Sequence, residues 1–335
     1  MARGSNPNSQ TIAVSGAGNF SAKASSNGNW VSVAPLAGEA PASLTVSLNP
    51  GGLNPGTYTG TITVSGTNGA AGSTTIDVTL TVTVPVPIIA RVLNAASFAP
   101  GPLSAGEIVA IFAPADGGNP IGPAAAAELT SDLIVNAKLP NTLGGVQVFF
   151  SGYPAPVYFA SAGQVNAVVP YEIATTLSPT VWVKFLSQTS NALSLTASAS
   201  APAIFTADGR GSGPAALVNA DNTYNAPDNP AAKGSTIVFF VTGEGQTSPQ
   251  GVSGQVTTLN SSGNGPLTPQ PLLPLGVTID GQPAFVAFYG ETPGVVAGLL
   301  QLNVQVPPNA RTGDLPLAVI IGGNSSQIGV TVSVK

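Results

Sequence analysis

Apolar and polar residues alternate along nearly the whole chain, as in TGTITVSG (59–66), TTIDVTLTVTV (74–84), VQVFF (146–150) and VTVSVK (330–335). A period of two sends successive side chains to opposite faces of a strand, and Gly, Pro and Asn between the runs supply turns. The pattern predicts an all-β chain of short strands arranged as β-sandwiches. In VWVKF (181–185) it places Val181, Val183 and Phe185 on one face and Trp182 with Lys184 on the other. Trp30, beside the alternating Val31 and Val33, reads as core or core edge. The one helix-like stretch is PAAAAELTSDL (123–133), long enough for about two to three turns.

The alternation is written twice. QVNAVVP (164–170) returns as QLNVQVP (301–307), VLNA (92–95) as LVNA (217–220), AGEIVAIF (105–112) as KGSTIVFF (233–240), and VQVFFSGYPAPVYFA (146–160) as VTIDGQPAFVAFYG (277–290). Gly152 and Gly281 lie 129 apart but Gln164 and Gln301 lie 137 apart, so the second copy carries eight extra residues around ETPGVVAG (291–298). Two homologous domains follow one another, each with a Gly-x-Pro-Ala hairpin turn. Proline closes each Q-x-N-x-x-V-P strand, where its missing N–H does least harm. Gln and Asn, two apart, share a strand face; they read as side chains satisfying backbone groups at a sheet edge or loop, with a paired ligand site as the alternative. A further unit precedes the pair, and Val-Pro-Val-Pro (84–87) makes a stiff linker. The expected organisation is three tandem β-sandwiches, 1–85, 86–207 and 208–335.

Composition narrows the function. Of 335 residues only 7% are charged, and 9 basic against 14 acidic residues leave a net charge of −5, with no basic block to hold a phosphate backbone. Nucleic acid is excluded as a partner on that ground. Mean hydropathy is +0.31, yet no apolar run reaches the roughly 18 residues of a membrane span. The 40 glycines and 31 prolines fall short of the roughly 25–30% that marks disorder. A surface so poor in charge suits a protein that packs against neighbours, or one used in dilute company outside the cell. The sequence has neither Cys nor His, which removes disulfides, thiolate nucleophiles, the usual zinc ligands and the standard hydrolase triads. No cofactor is expected. The opening MARGSNPNSQ has no apolar segment and does not read as a signal peptide.

Residues 10–84 resemble the BACON family of bacterial immunoglobulin-like modules, through NWVSVAP, Gly38, LTVSLNPGGL, GTYTGTITV and VTLTVTV. That resemblance implies a glycan- or mucin-binding or spacer role and no catalytic residues. Residues 88–335 resemble a C-terminal domain family of secreted acidobacterial (Solibacter-type) proteins that has no assigned activity. The resemblance rests on VLNAASF, LSAGEIVAIFA, LGGVQVFFSGYPAPVYFASAGQVNAVVPYEI, APAIF, NPAAKGSTIVFFVTGEG and GLLQLNVQVP, and IFAPADGG departs from it at one turn. It implies secretion.

Candidate chemistry is sparse. NADNTYNAPDNP (219–230) gathers Asp221, Asn222, Asn225 and Asp228 in one oxygen-rich loop, a weak calcium candidate against the reading of Asx-turns. Glu107, Glu172 and Glu244 offer carboxylates, but their spread over two domains gives no reason to expect a glycosidase pair, and solvated strand ends are the better reading. Lys23, Lys138, Lys184, Lys233 and Lys335 are scattered, and there is no Gly-x-Ser-x-Gly elbow. Trp182, Tyr58, Tyr153 and Tyr224 are aromatic surface for a sugar ring or for a domain contact.

These readings converge on a non-enzymatic extracellular structural or adhesive protein that self-associates as a homo-oligomer or polymer, with a carbohydrate-binding module as the alternative. QTIAVSG (10–16) is either the first strand of its own domain or a strand donated to a neighbour's open edge, which would build filaments.

Overall fold

The strand pattern carries into the computed structural model, which describes residues 7–51, 53–116, 119–262 and 265–335; the leader 1–6 and the Gly117–Gly118 pair of IFAPADGG lie outside them. The chain is all-β, with no α-helix among the described residues. It divides into two compact units, Met1–Pro85 and Val86–Lys335.

The first unit is one sheet in the order Val31–Ala34, Ala37–Leu48, Gln10–Ser26, Gly56–Gly66, Ser73–Val82. The long strand Gln10–Ser26 changes partner along its length. It pairs with Ala37–Leu48 up to Ser21 and with Gly56–Gly66 from Phe20 onward, which folds the sheet over Phe20, Trp30, Leu44, Ile62 and Leu80. Trp30 is buried in that core. Residues 10–14 are antiparallel to Ala42–Val46 of the same unit. Of the two readings of this segment, the pairing is that of the first strand of its own domain, and Val330–Val334 is likewise held between Gly313–Ile321 and Gly213–Pro214.

The second unit holds two cores. In the first, a sheet ordered Tyr153–Ala155, Val146–Phe150, Thr180–Phe185, Gln188–Thr189 faces one ordered Arg91–Asn94, Ile108–Phe112, Gln164–Val168, Val157–Ala160, Ala127–Glu128. Their inward residues, including Val109, Ile111, Val148, Phe150, Val165, Val181 and Val183, are fully buried, each contributing roughly 1.5–3 kcal/mol of apolar burial. The second core, from Ile204 to Val334, lies within one bent sheet that turns at Gln282–Glu291. The first residues of that strand pair with Leu275–Ile279 and the rest with Leu300–Gln305. In the first copy the same strand is cut in two at Pro156, which has no N–H to give a ladder.

Register shows how closely the copies agree. Phe159 stands opposite Asn166 after a bulge at Tyr158, and Phe288 stands opposite Asn303 after a bulge at Ala287. Gln164 faces Phe112 and Gln301 faces Phe240 on the other side. The hairpins turn through Ser151–Gly152 and Asp280–Gly281, all four at positive φ, the type I′ geometry that matches strand twist.

The predicted helix at 123–133 does not form. Ala127–Glu128 pairs with Phe159–Ala160, Leu129 donates to the Tyr158 carbonyl at 2.9 Å, and Ser131–Leu133 is a single 3₁₀ turn. A short alanine run has helix propensity but no apolar stripe to bury, so an open sheet edge outweighs it.

Candidate functional site

Q-x-N-x-x-V-P ends at Pro170, and the chain then turns through the 3₁₀ segment Tyr171–Ile173. This turn sends Tyr171 out of the first sandwich into the second. Its hydroxyl lies 2.7 Å from Glu244 Oε1 and 2.9 Å from Glu291 Oε1, and Thr257 Oγ1 donates to Glu291 Oε2 at 2.8 Å. Glu244 follows the buried strand Thr236–Thr242, between Gly243 and Gly245. Those two glycines have positive φ and run so close to the 199–202 backbone that a Cβ on either would strike a carbonyl. Glu291 ends the strand Gln282–Glu291 and opens the insertion that the first copy lacks.

All three side chains are buried: Glu244 is 0%, Glu291 2% and Tyr171 3% exposed. Burial pushes the Glu244 carboxyl well above the usual range, and the neighbouring Glu291 carboxylate adds to it. Burial also raises Glu291, against the bonds from Thr257, Tyr171 and Glu244 that favour its charged form. Burial, then the two carboxylates, raises Tyr171. Glu244 Oε2 has no partner. Glu244 is thus the carboxyl that keeps its proton and Glu291 the one that can carry charge.

Around this cluster the sandwiches are stitched by backbone. Leu139 donates to Gly254 O at 2.8 Å and Val256 to Ala137 O at 2.7 Å. Ile108 N donates to Thr242 Oγ1 at 2.7 Å, and that hydroxyl donates to Gly298 O at 3.0 Å. Ile108, Leu139, Val168 and Val296 close an apolar patch there.

Glu107 is also buried, 2% exposed, accepting from Ser104 N and from Asn94 Nδ2, both at 2.9 Å. Burial raises its carboxyl to about 8 despite the Ser104 backbone and Asn94 bonds. It lines a cavity of about 300 Å³ with Asn94, Ser200, Asn324 and Gln327. The expectation of solvated strand ends is corrected for Glu107 and Glu244, because each lies where one sandwich covers the other. It stands for Glu172, which is exposed.

The repeated amides bond to each other and not to an edge. Gln164 Nε2 donates to Asn166 Oδ1 at 2.8 Å and Gln301 Nε2 to Asn303 Oδ1 at 2.9 Å. Both pairs sit on strands with neighbours on either side, so no free backbone edge is within reach. Asn166 also bonds the Tyr158 hydroxyl, whose pKa burial drives up.

The proposed aromatics do not converge. Trp182 stacks on Phe149, centroids 3.9 Å apart and planes 11° from parallel, on the outward face of its sheet beside Gln147 and Lys184. Tyr153 is 45% and Tyr224 82% exposed. Tyr58, in the first unit, is half-buried and bonds Asn54 O at 2.8 Å. In the loop proposed for calcium, the Asp221 carboxylate accepts from Thr223 N and Oγ1, while Asn225 turns inward to Asn219 and Ser333. Asn222 and Asp228 are exposed, and no cluster of three acidic side chains occurs among the described residues.

No family model and no curated protein matches the chain. Among solved structures it is similar to SGBP-B of the Bacteroides ovatus mixed-linkage glucan utilization locus, in complex with a mixed-linkage heptasaccharide: 10% identity, TM-score 0.27, over 100% of this chain and 65% of that one. It is also similar to SGBP-B of a Bacteroides uniformis xyloglucan utilization locus (11%, 0.22, 73% and 49%) and to the Escherichia coli adhesin FdeC (14%, 0.22, 97% and 87%). The chain thus spans less than two thirds of the first two. The likeness is that of strand-rich chains and goes no further.

Proposed function

We propose that the chain is a non-catalytic structural and adhesive protein of the cell exterior that associates with copies of itself. The observation that carries this reading is the use made of its buried carboxyl pair. Glu244 and Glu291 stand close enough to suit acid–base work, yet they are spent clasping Tyr171 at 0% and 2% exposure, where a polymeric substrate has no approach. The surface supports association in that charged residues are few, so little repulsion opposes close packing. The exterior location rests on the resemblance to secreted proteins.

A second reading, glycan binding, is favoured by the Phe149–Trp182 stack. The register of the copies puts Thr278 and Ala318 at the same two positions of the second sandwich, so the fold does not require the aromatic pair.

Light scattering and negative-stain imaging over rising concentration, beside a glycan array and a polysaccharide- and peptide-hydrolysis panel, separate the readings. Ordered multimers without added ligand are expected. A monomer at every concentration that binds glycans until Trp182 is replaced by Ala would establish the second reading in place of the first. Turnover lost on changing Glu107, Glu172 or Glu244 would overturn both.

A further inference from the structure

The hydrogen bonds at the seam can be counted against protons. Tyr171 has one hydroxyl hydrogen but lies within bonding distance of two carboxyls. It donates to one of them, so the other contact holds only if that carboxyl brings a proton of its own. Thr257 already donates to Glu291, and Glu244 has one oxygen without any partner. Glu244 is the protonated member and Glu291 the ionised one: the Glu244 hydrogen goes to the Tyr171 oxygen or to Glu291, and without it the one Tyr171 hydrogen is shared between two carboxylates.

Among the described residues, none near the cluster replaces that proton with a fixed positive charge. From the turn leading into Ile108–Phe112 comes Glu107, bonded to Ser104 and Asn94. From the 3₁₀ turn comes Glu172, bonded to Ser253 Oγ. The 251–257 loop adds Ser253, Gln255 and Thr257, the segment after Glu291 adds Thr292, and the one basic residue on the adjoining 135–138 turn, Lys138, is exposed and meets Gln255 through backbone. The Tyr171 ring is also gripped sterically. A Cβ on Gly106 would lie 2.6 Å from its hydroxyl, and a Cβ on Gly251, from the other sandwich, would collide with the ring.

We propose that Tyr171, Glu244 and Glu291 form a proton-dependent latch between the two sandwiches of the second unit, closed while Glu244 holds its proton and loosened when that proton leaves. Loss of the proton puts two carboxylates against one hydroxyl in a water-poor site, and the pair separates most readily by withdrawing Tyr171. The raised carboxyls fit this direction, since burial holds the proton in place to a higher pH than on an exposed glutamate. The latch would give an exterior protein a stiff form in acid and neutral surroundings and a looser one in alkaline surroundings.

The test is amide hydrogen exchange of the full chain between pH 6 and pH 10, corrected for intrinsic rates and read at segments 169–174, 242–246 and 291–298. Protection in the wild type is expected to fall at least tenfold toward the alkaline end. Glu244→Gln, which cannot ionise, should hold its protection across the range, while Glu172→Gln, at the exposed rim, should behave as wild type. Should Glu244→Gln fail to fold, Glu291→Gln serves, because one carboxylate alone can accept the Tyr171 hydrogen and the fall should be abolished. Unchanged wild-type protection, or equal loss in wild type and the non-ionising variant, overturns the proposal.

Discussion

Asn191 and Gln327 do the same work one methylene apart. Asn191 Oδ1 accepts from Ile89 N at 2.8 Å and its Nδ2 donates to Ile89 O at 3.0 Å; Gln327 Oε1 accepts from Ile204 N at 3.0 Å and its Nε2 donates to Ile204 O at 2.7 Å. Each amide thus acts as a missing strand residue, closing both backbone groups of an isoleucine that is 2% or 0% exposed. Ser190 and Ser326, one position earlier, repeat the pattern by accepting from Val183 N and Val319 N.

Replacing Asn191 or Gln327 by Ala leaves a buried donor and acceptor unmade, at about 1–3 kcal/mol for each group left without a partner. Each variant is expected to lose about 2–6 kcal/mol in the denaturant transition of its own sandwich. Swapping the amides, Asn191→Gln and Gln327→Asn, should cost less than truncating them.

Much of this was legible beforehand, for a physical reason. Alternation fixes which face a side chain takes, so Val181, Val183 and Phe185 are buried and Trp182 is turned outward as the period requires. Matching letters revealed the doubled domain because turns and closing prolines constrain residue type locally. The amide clamps were open to the same comparison, since SN (190–191) and SQ (326–327) sit at equal distances from their strands, but a side chain bonding remote backbone leaves no periodic trace. The carboxyl–tyrosine cluster was not legible. Glu244, Glu291 and Tyr171 come from three separate segments that only the docking of sandwiches brings together. One weak signal existed: Glu244 lies between two glycines directly after a buried strand, where a solvated charge would not need so close a backbone approach.

Glu107 sets a pH dependence of unusual sign. Its carboxyl is near 8 in the fold because of burial, against an ordinary value of 4.5. The folded state therefore binds the extra proton, and stability is greatest below about pH 4.5, declines as the unfolded carboxyl ionises, and levels off above about pH 8. Full expression of this shift corresponds to at most about 5 kcal/mol. Denaturation at pH 5, 6.5 and 8 should show the decline, and Glu107→Gln should remove the Glu107 share of it while leaving the part due to the raised Glu244 and Glu291. A stability that rises across this window would contradict the assignment.

The Phe149–Trp182 stack is an outward-facing pair whose removal the fold should survive. Aromatic pairs couple by about 0.5–1.5 kcal/mol beyond their burial. A double-mutant cycle with Phe149→Ala and Trp182→Ala is expected to return coupling of that size, with strand content unchanged by circular dichroism. The residues at the same positions in the second sandwich, Thr278 and Ala318, already show that a sheet of this kind stands without the rings.

Tyr171 reaches its seat only because Gly106 and Gly251 have no side chains. Gly106 has φ +73°, so alanine there would add backbone strain to the clash with the hydroxyl, whereas the clash at Gly251 is steric alone. Gly251→Ala should therefore cost about 1–3 kcal/mol, the usual range for overpacking, and Gly106→Ala more. Gly276, in the strand Leu275–Ile279 and with nothing within 4 Å of its Cβ position, serves as the control; Gly276→Ala is expected to stay within about 0.5 kcal/mol. The cause can then be isolated in a Tyr171→Ala background, where the ring that obstructs the new methyl group is gone. If the notch exists for the ring, Gly251→Ala should cost almost nothing further in that background. A full and additive loss there would mean that Gly251 is needed for something other than Tyr171.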